Sequence, residues 1–152
     1  MIYAAYGSNL NHDQMSFRCP LARFIGTAKL LDHRLVFRGV ADVEQHLGSY
    51  VAIGLWEISK ACLGALDRYE GYPHLYTRSM VEVETKKGNM NAIIYYMNSG
   101  DYQPPIRVYL NSICYGYKDC GLPLSKLGKD IKEFSKLYEL QSQWWQKSNE
   151  TV

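Results

Sequence analysis

The chain has 152 residues, 47% of them hydrophobic and 21% charged, with a formal net charge of +2. That length suits one domain whose core buries roughly 70% of the surface an unfolded chain exposes, and the composition is globular, not disordered. Lys and Arg are scattered, with no basic block longer than Lys86-Lys87, so charge gives no case for nucleic acid, and no apolar run approaches the roughly 20 residues of a membrane span.

The first strand is predicted over residues 2–6, with no charged and apolar leader ahead of it, so a cytoplasmic protein is expected. The strand stops in Tyr6-Gly7-Ser8-Asn9-Leu10. Gly7 lets a ligand approach the main chain closely, and Ser8 and Asn9 add short polar groups and successive N–H donors. Such a turn can cradle a carboxylate or a developing oxyanion. It can equally be a loop with no ligand. It is neither a Walker phosphate loop nor a nucleophile elbow, because neither GxxxxGK[ST] nor GxSxG is present.

A short helical turn follows over 13–17, before Cys19-Pro20. Residues 24–30 and 34–37 read as two strands joined by Asp32-His33. Residues 37–44 then run into a polar loop ending near Gly48, and 50–58 read as a buried strand rich in Val51, Ile53, Leu55 and Trp56. A helix is predicted from Ser59, a suitable N-cap, to Glu70, with Gly71 as its stop. Residues 77–84 form a half-exposed strand, 86–89 a turn, and 92–97 the returning strand of a hairpin. A second helix starts near Pro104-Pro105 and ends before Gly121, with Ile106, Tyr109, Leu110, Ile113 and Tyr117 at helical spacing. A third spans about 125–145, with Leu127, Ile131, Phe134, Tyr138 and one of Trp144 or Trp145 facing inward. About six short strands with few connecting helices predict a single α+β domain over 1–152 with a closed or nearly closed small sheet.

Cys19, Cys62, Cys114 and Cys120 form no CxxC pair, so all four are expected to be free, reduced and structural. His12, His33, His46 and His74 are isolated from one another, and no metal set is expected. The main chemical signal is Glu70. Leu66 lies four positions before it and Leu63 seven, so all three share one helix face. A carboxylate where a leucine should point is desolvated, which raises its pKa and makes it a usable base near neutrality. Two blander outcomes compete: the last turn frays, or Glu70 pairs with Arg68 or Arg78. Of the 13 tyrosines, Tyr69, Tyr72 and Tyr76 bracket Glu70 and Tyr95 and Tyr96 lie on a strand. Most are expected to pack, with one or two lining a pocket.

Taken together, several segments resemble the γ-glutamylcyclotransferase-like family. They are Tyr3-Ala4-Ala5-Tyr6-Gly7-Ser8-Asn9-Leu10, Leu66-Asp67-Arg68-Tyr69-Glu70-Gly71-Tyr72, and Tyr109 followed by Gly116-Tyr117-Lys118-Asp119-Cys120-Gly121-Leu122-Pro123. Phe37-Arg38-Gly39-Val40-Ala41-Asp42 and Gly54-Leu55-Trp56-Glu57-Ile58 resemble bacterial-type members. The likeness covers about residues 1–123. It implies a small mixed β-barrel flanked by helices and an enzyme that cyclises a γ-glutamyl group to 5-oxoproline, freeing the attached amino acid or amine. It also implies a substrate loop of Tyr3, Tyr6, Gly7, Ser8, Asn9 and Leu10, an acid/base at Glu70 and a pocket tyrosine at Tyr109. The substrate's own α-amine is the nucleophile, so neither metal nor cofactor is implied. The implied partner is a small γ-glutamyl compound, with no nucleic acid and no membrane. Cys120 departs from the pattern, standing where bacterial relatives often carry Trp. Removal of a γ-glutamyl protecting group from a specialised metabolite, or non-catalytic carboxylate binding, are the competing readings. The leaving amine and the oligomeric state stay open.

Overall fold

The strands of this chain carry runs of buried residues, such as 51–56 and 92–95, and their apolar side chains meet inside a closed sheet. In the computed structural model the described residues are 1–97 and 99–150, with the side chains of 145 and 148–150 outside the description. Five strands, β1 (Ile2–Ala5), β2 (Arg23–Phe37), β3 (Ala41–Glu57), β4 (Tyr76–Thr85) and β5 (Gly88–Met97), close into a barrel in the order β1-β3-β2-β4-β5. Antiparallel pairs such as Ala4↔Leu55, Val36↔Asp42 and Val81↔Ala92 set the register. The parallel pair Tyr3↔Ile93 and the antiparallel pair Lys29↔Glu84 complete the circle, making the barrel mixed as expected.

The sequence suggested six strands, and the structure has five, because two of the six are one strand. Residues 24–30 and 34–37 belong to one strand, β2, and the supposed polar loop and the strand after it belong to β3. The break signals at Asp32 and Gly48 are real, but they mark a bulge. Pairing jumps from Leu31↔Tyr50 to His33↔Gln45, and Asp32, at φ 57°, accepts a hydrogen bond from Gly48 N–H at 3.0 Å. The hairpin then resumes because Leu35, Val36 and Phe37 still have the core to enter.

Four α-helices pack outside: α1 (His12–Arg18), α2 (Lys60–Glu70), α3 (Arg107–Cys120) and α4 (Leu124–Glu150). α2 has the predicted ends, with Ser59 Oγ accepting from Cys62 N–H at 3.1 Å and Gly71 in the left-handed region at φ 66°. α3 likewise ends at Gly121 in that region. On α4, Leu127 and Phe134 are buried, and Tyr138 stacks on Phe134. Of the two tryptophans, one of which was expected to face inward, Trp144 is 63% exposed. At about 100° per residue it is turned roughly 80° from the Phe134 face. The side chain of residue 145 lies outside the description. None of the described helices is long and apolar enough to cross a membrane.

The expectation of four free thiols is also corrected. Cys19, just past α1, and Cys62, in the first turn of α2, form a disulfide with Cα atoms 5.3 Å apart. They are 43 positions apart in sequence and meet only because α1 packs on α2. No spacing motif announces such a pair. Cys114 and Cys120 are free.

Candidate active site

The polar turn after β1 is held from below. A 3₁₀ turn over Ser8–Leu10 is closed by Leu10 N–H to Gly7 O and Asn11 N–H to Ser8 O, both at 3.1 Å. Leu10 is wholly buried between the barrel wall and α3. A Cβ on Gly116 would stand 2.6 Å from Leu10 Cβ and 2.7 Å from the backbone of the turn, so that position must lack a side chain, and one on Gly54 would stand 2.8 Å from Leu10 Cδ2 and force Leu10 to shift. Trp56 Nε1–H donates to Asn9 O at 3.2 Å, and the Cys120 thiol reaches Leu10 O at 3.3 Å. Leu10 therefore does not line a ligand cavity. It is the anchor of the turn, and Cys120 is part of its footing.

Above this footing lies a cavity of about 180 Å³. Tyr3 comes to it from β1, Tyr6 from just past the end of that strand, Gly7, Ser8 and Asn9 from the turn, and Ala41 from β3. Tyr69 and Glu70 come from α2, Tyr76 from β4, Tyr95 from β5 and Tyr109 from α3. Glu70 follows wholly buried Leu66 on the same face of α2. Burial pushes its carboxyl up to about 7, and the nearby Arg18 charge opposes that rise. Neither blander outcome holds. The last turn is capped, and Arg78 pairs with Asp67 at 2.9 Å. Asn9 Nδ2–H donates to Glu70 Oε1 at 3.4 Å and to Tyr3 Oη at 2.9 Å.

The phenols divide by the direction of their bonds. Tyr6 donates to Tyr95 O at 2.7 Å and Tyr76 to Ala41 O at 2.6 Å, so their protons are committed and their lone pairs can accept. Tyr109 accepts from Ala41 N–H at 2.9 Å and Tyr3 accepts from Asn9, so both can still donate. Burial is the main cause that lifts all four above the ordinary phenol range, keeping them neutral at physiological pH.

This loop, glutamate and tyrosine set can be compared with known proteins. Residues 3–112 match the profile of the family described as gamma-glutamyl cyclotransferase, AIG2-like. The chain belongs to this family. It is 34% identical over 137 residues to human gamma-glutamylcyclotransferase, covering 81% of this chain and 73% of the relative. The bovine protein of that name is 33% identical over the same shares. A solved structure named gamma-glutamyl cyclotransferase superposes with a TM-score of 0.79 at 31% identity, over 85% of both chains. The γ-glutamyl cyclotransferase architecture thus accounts for the barrel and its flanking helices.

Of the family-derived positions, Tyr3, Tyr6, Gly7, Ser8, Asn9, Glu70 and Tyr109 meet at the cavity, and Leu10 does not. Sequence reasoning named Tyr69, Tyr76 and Tyr95 without assigning them, and it missed Arg18 altogether. The only local hint for Arg18 was a basic residue closing a short helix. Among the described residues no group of three or more His, Cys, Asp or Glu is placed to hold a metal ion.

Proposed function

We propose that this chain is a γ-glutamylcyclotransferase that converts a γ-glutamyl amino acid or amine to 5-oxoproline and the free amino acid or amine, with Glu70 as general acid/base. The observation that carries this reading is the Glu70 carboxyl, held on the apolar face of α2 at the cavity wall with its pKa pushed to about 7 by burial. The relatives named for this activity support the reaction class.

The chemistry follows from that placement. A free α-ammonium titrates near about 8 and must lose a proton before its nitrogen can attack. Glu70 takes that proton. The nitrogen lone pair then closes on the γ-carbonyl carbon, the amide C–N bond breaks as the leaving nitrogen receives a proton back from Glu70, and the ring nitrogen gives its remaining extra proton to the freed amine, which departs as an ammonium. Acid–base catalysis of this kind contributes about 10²–10⁴-fold. Tyr3 and Tyr109 have protons to give to a substrate carboxylate or carbonyl, while Tyr6 and Tyr76 offer lone pairs to an ammonium. The Gly7–Ser8–Asn9 backbone lines the same cavity, where its N–H groups can meet the developing oxyanion. Holding the substrate folded in a near-attack geometry adds several kcal/mol more, to roughly 7–11 kcal/mol in well-oriented systems.

The test is release of 5-oxoproline from a panel of γ-glutamyl amino acids and amines, run with the native chain and with Glu70→Gln. Product from the native chain and about 10³-fold less from the variant is expected. No product from any panel member, or equal product from both proteins, overturns the reading.

A further inference from the structure

Arg18 closes α1 and is no part of the cavity wall, yet it touches the residues that are. Its Nη1–H donates to Asn9 Oδ1 at 2.6 Å and its Nη2–H to Gln14 Oε1 at 2.9 Å. The guanidinium lies 3.5 Å from the centre of the Tyr69 ring. Among the described residues no carboxylate forms an ion pair with it. The Cys19–Cys62 disulfide, one residue further on, ties this end of α1 to α2, the helix that carries Glu70.

A guanidinium has five donors and no acceptor, so it can meet the Asn9 amide only through the oxygen. That fixes the other end of the amide. Its NH₂ group must face away from Arg18, and there it meets Tyr3 and Glu70. We propose that Arg18 is the positioning residue of the base: it locks the Asn9 amide with NH₂ toward Glu70 and brings to the site a positive charge that no wall residue carries. This rests on the reading of Glu70 as the base.

Both effects act in one direction. A cation and a facing N–H each favour the carboxylate over the carboxylic acid, against the burial that favours the acid. The other titratable groups lining the cavity around Glu70 are phenols: Tyr3 from β1 and Tyr6 just past it, Tyr69 on its own helix, Tyr76 from β4, Tyr95 from β5 and Tyr109 from α3. Asp42 of β3 is near enough to Tyr6 and Tyr76 to raise both. None of these can replace the Arg18 charge. Without it the amide is free to turn its oxygen toward Glu70, and the base releases its proton only at higher pH.

Arg18→Met replaces the guanidinium over Tyr69 with an uncharged apolar side chain and removes charge and donors. Arg18→Lys keeps the charge. In Arg18→Met the rising limb of kcat/KM against pH should move up by roughly one unit or more, with up to about tenfold lower turnover at pH 7, and Arg18→Lys should recover most of the shift. In an Asn9→Ala background, Arg18→Met should cost clearly less than it does in the native chain, since the amide lock is already gone and only the charge is lost. A profile that is only scaled down, with an unmoved midpoint, or a cost in the Asn9→Ala background as large as in the native chain, overturns the proposal. NMR titration of the Glu70 carboxyl in native chain and Arg18→Met reads the same shift without substrate. Absent turnover therefore overturns only the proposed reaction, and an unmoved titration overturns only the role of Arg18.

Discussion

Asp67 and Glu70 stand three residues apart on α2, and their surroundings drive them in opposite directions. Burial would raise Asp67 too, but hydrogen bonds from Arg78 at 2.9 and 3.2 Å and from Tyr95 outweigh it and hold the carboxyl below its usual range. Glu70 faces the cavity, where phenols replace cations, and burial wins. The helix supplies both positions with the same backbone. What lies across from each one decides the chemistry, because β4 presents Arg78 to Asp67 and the site presents only the half-buried Arg18, through Asn9, to Glu70.

Removing the active member breaks this contrast most severely. Glu70→Gln should lower kcat about 10³-fold while keeping the circular dichroism spectrum of the native fold. It should also stabilise the protein at pH 8. The native state keeps the Glu70 proton up to about pH 7, whereas an unfolded glutamate releases it near 4.5, so this group costs stability increasingly as pH rises between those values. Chemical denaturation at pH 8 should show a gain of about 1–3 kcal/mol for the variant, shrinking towards pH 4. Unchanged stability at pH 8 would mean that Glu70 is not desolvated.

A smaller effect is expected from Tyr109→Phe, which leaves Ala41 N–H without its acceptor and removes a donor facing the cavity. Steady-state kinetics should show roughly a tenfold fall in kcat/KM, and denaturation a loss of about 1 kcal/mol. Smallest in activity is the change on the other side of the contrast. Asp67→Asn should change kcat/KM less than about threefold yet cost about 1 kcal/mol at neutral pH, a figure reduced because Arg78 is partly solvated. The native pair's contribution is present above the unfolded aspartate value of 3.8 and is lost as pH falls through the lowered folded value, so the stabilities of the native chain and of the Asp67→Asn variant should converge in acid. A larger loss of activity than of stability would place Asp67 in the chemistry and erase the distinction.

Local signals read well where local chemistry decides. Ser59 and Gly71 mark both ends of α2, and helical spacing places Glu70 beside Leu66 and Leu63, because a cap and a face are set within one turn. The hairpin of β2 and β3 reads as broken in the sequence because Asp32 and Gly48 are turn residues. Only pairing across the sheet reveals that the strands resume beyond the bulge. Leu10 looks like part of a binding turn, and its true partners, Gly54 and Gly116, lie 44 and 106 residues away. The Cys19–Cys62 bond and the Arg18–Asn9–Glu70 chain depend in the same way on α1 lying against α2. Hydrophobic periodicity fixes which face of each helix turns inward but not which helix it meets.

The most direct test of the account is a site-resolved NMR titration of the Glu70 carboxyl in the native chain, with Glu70→Gln as the blank, set beside the pH dependence of kcat/KM. The predicted result is a midpoint near 7 in the titration and the same midpoint in the rising limb of the rate. A Glu70 that titrates near 4.5, like a solvated glutamate, or a rate that is flat through pH 7, would contradict it.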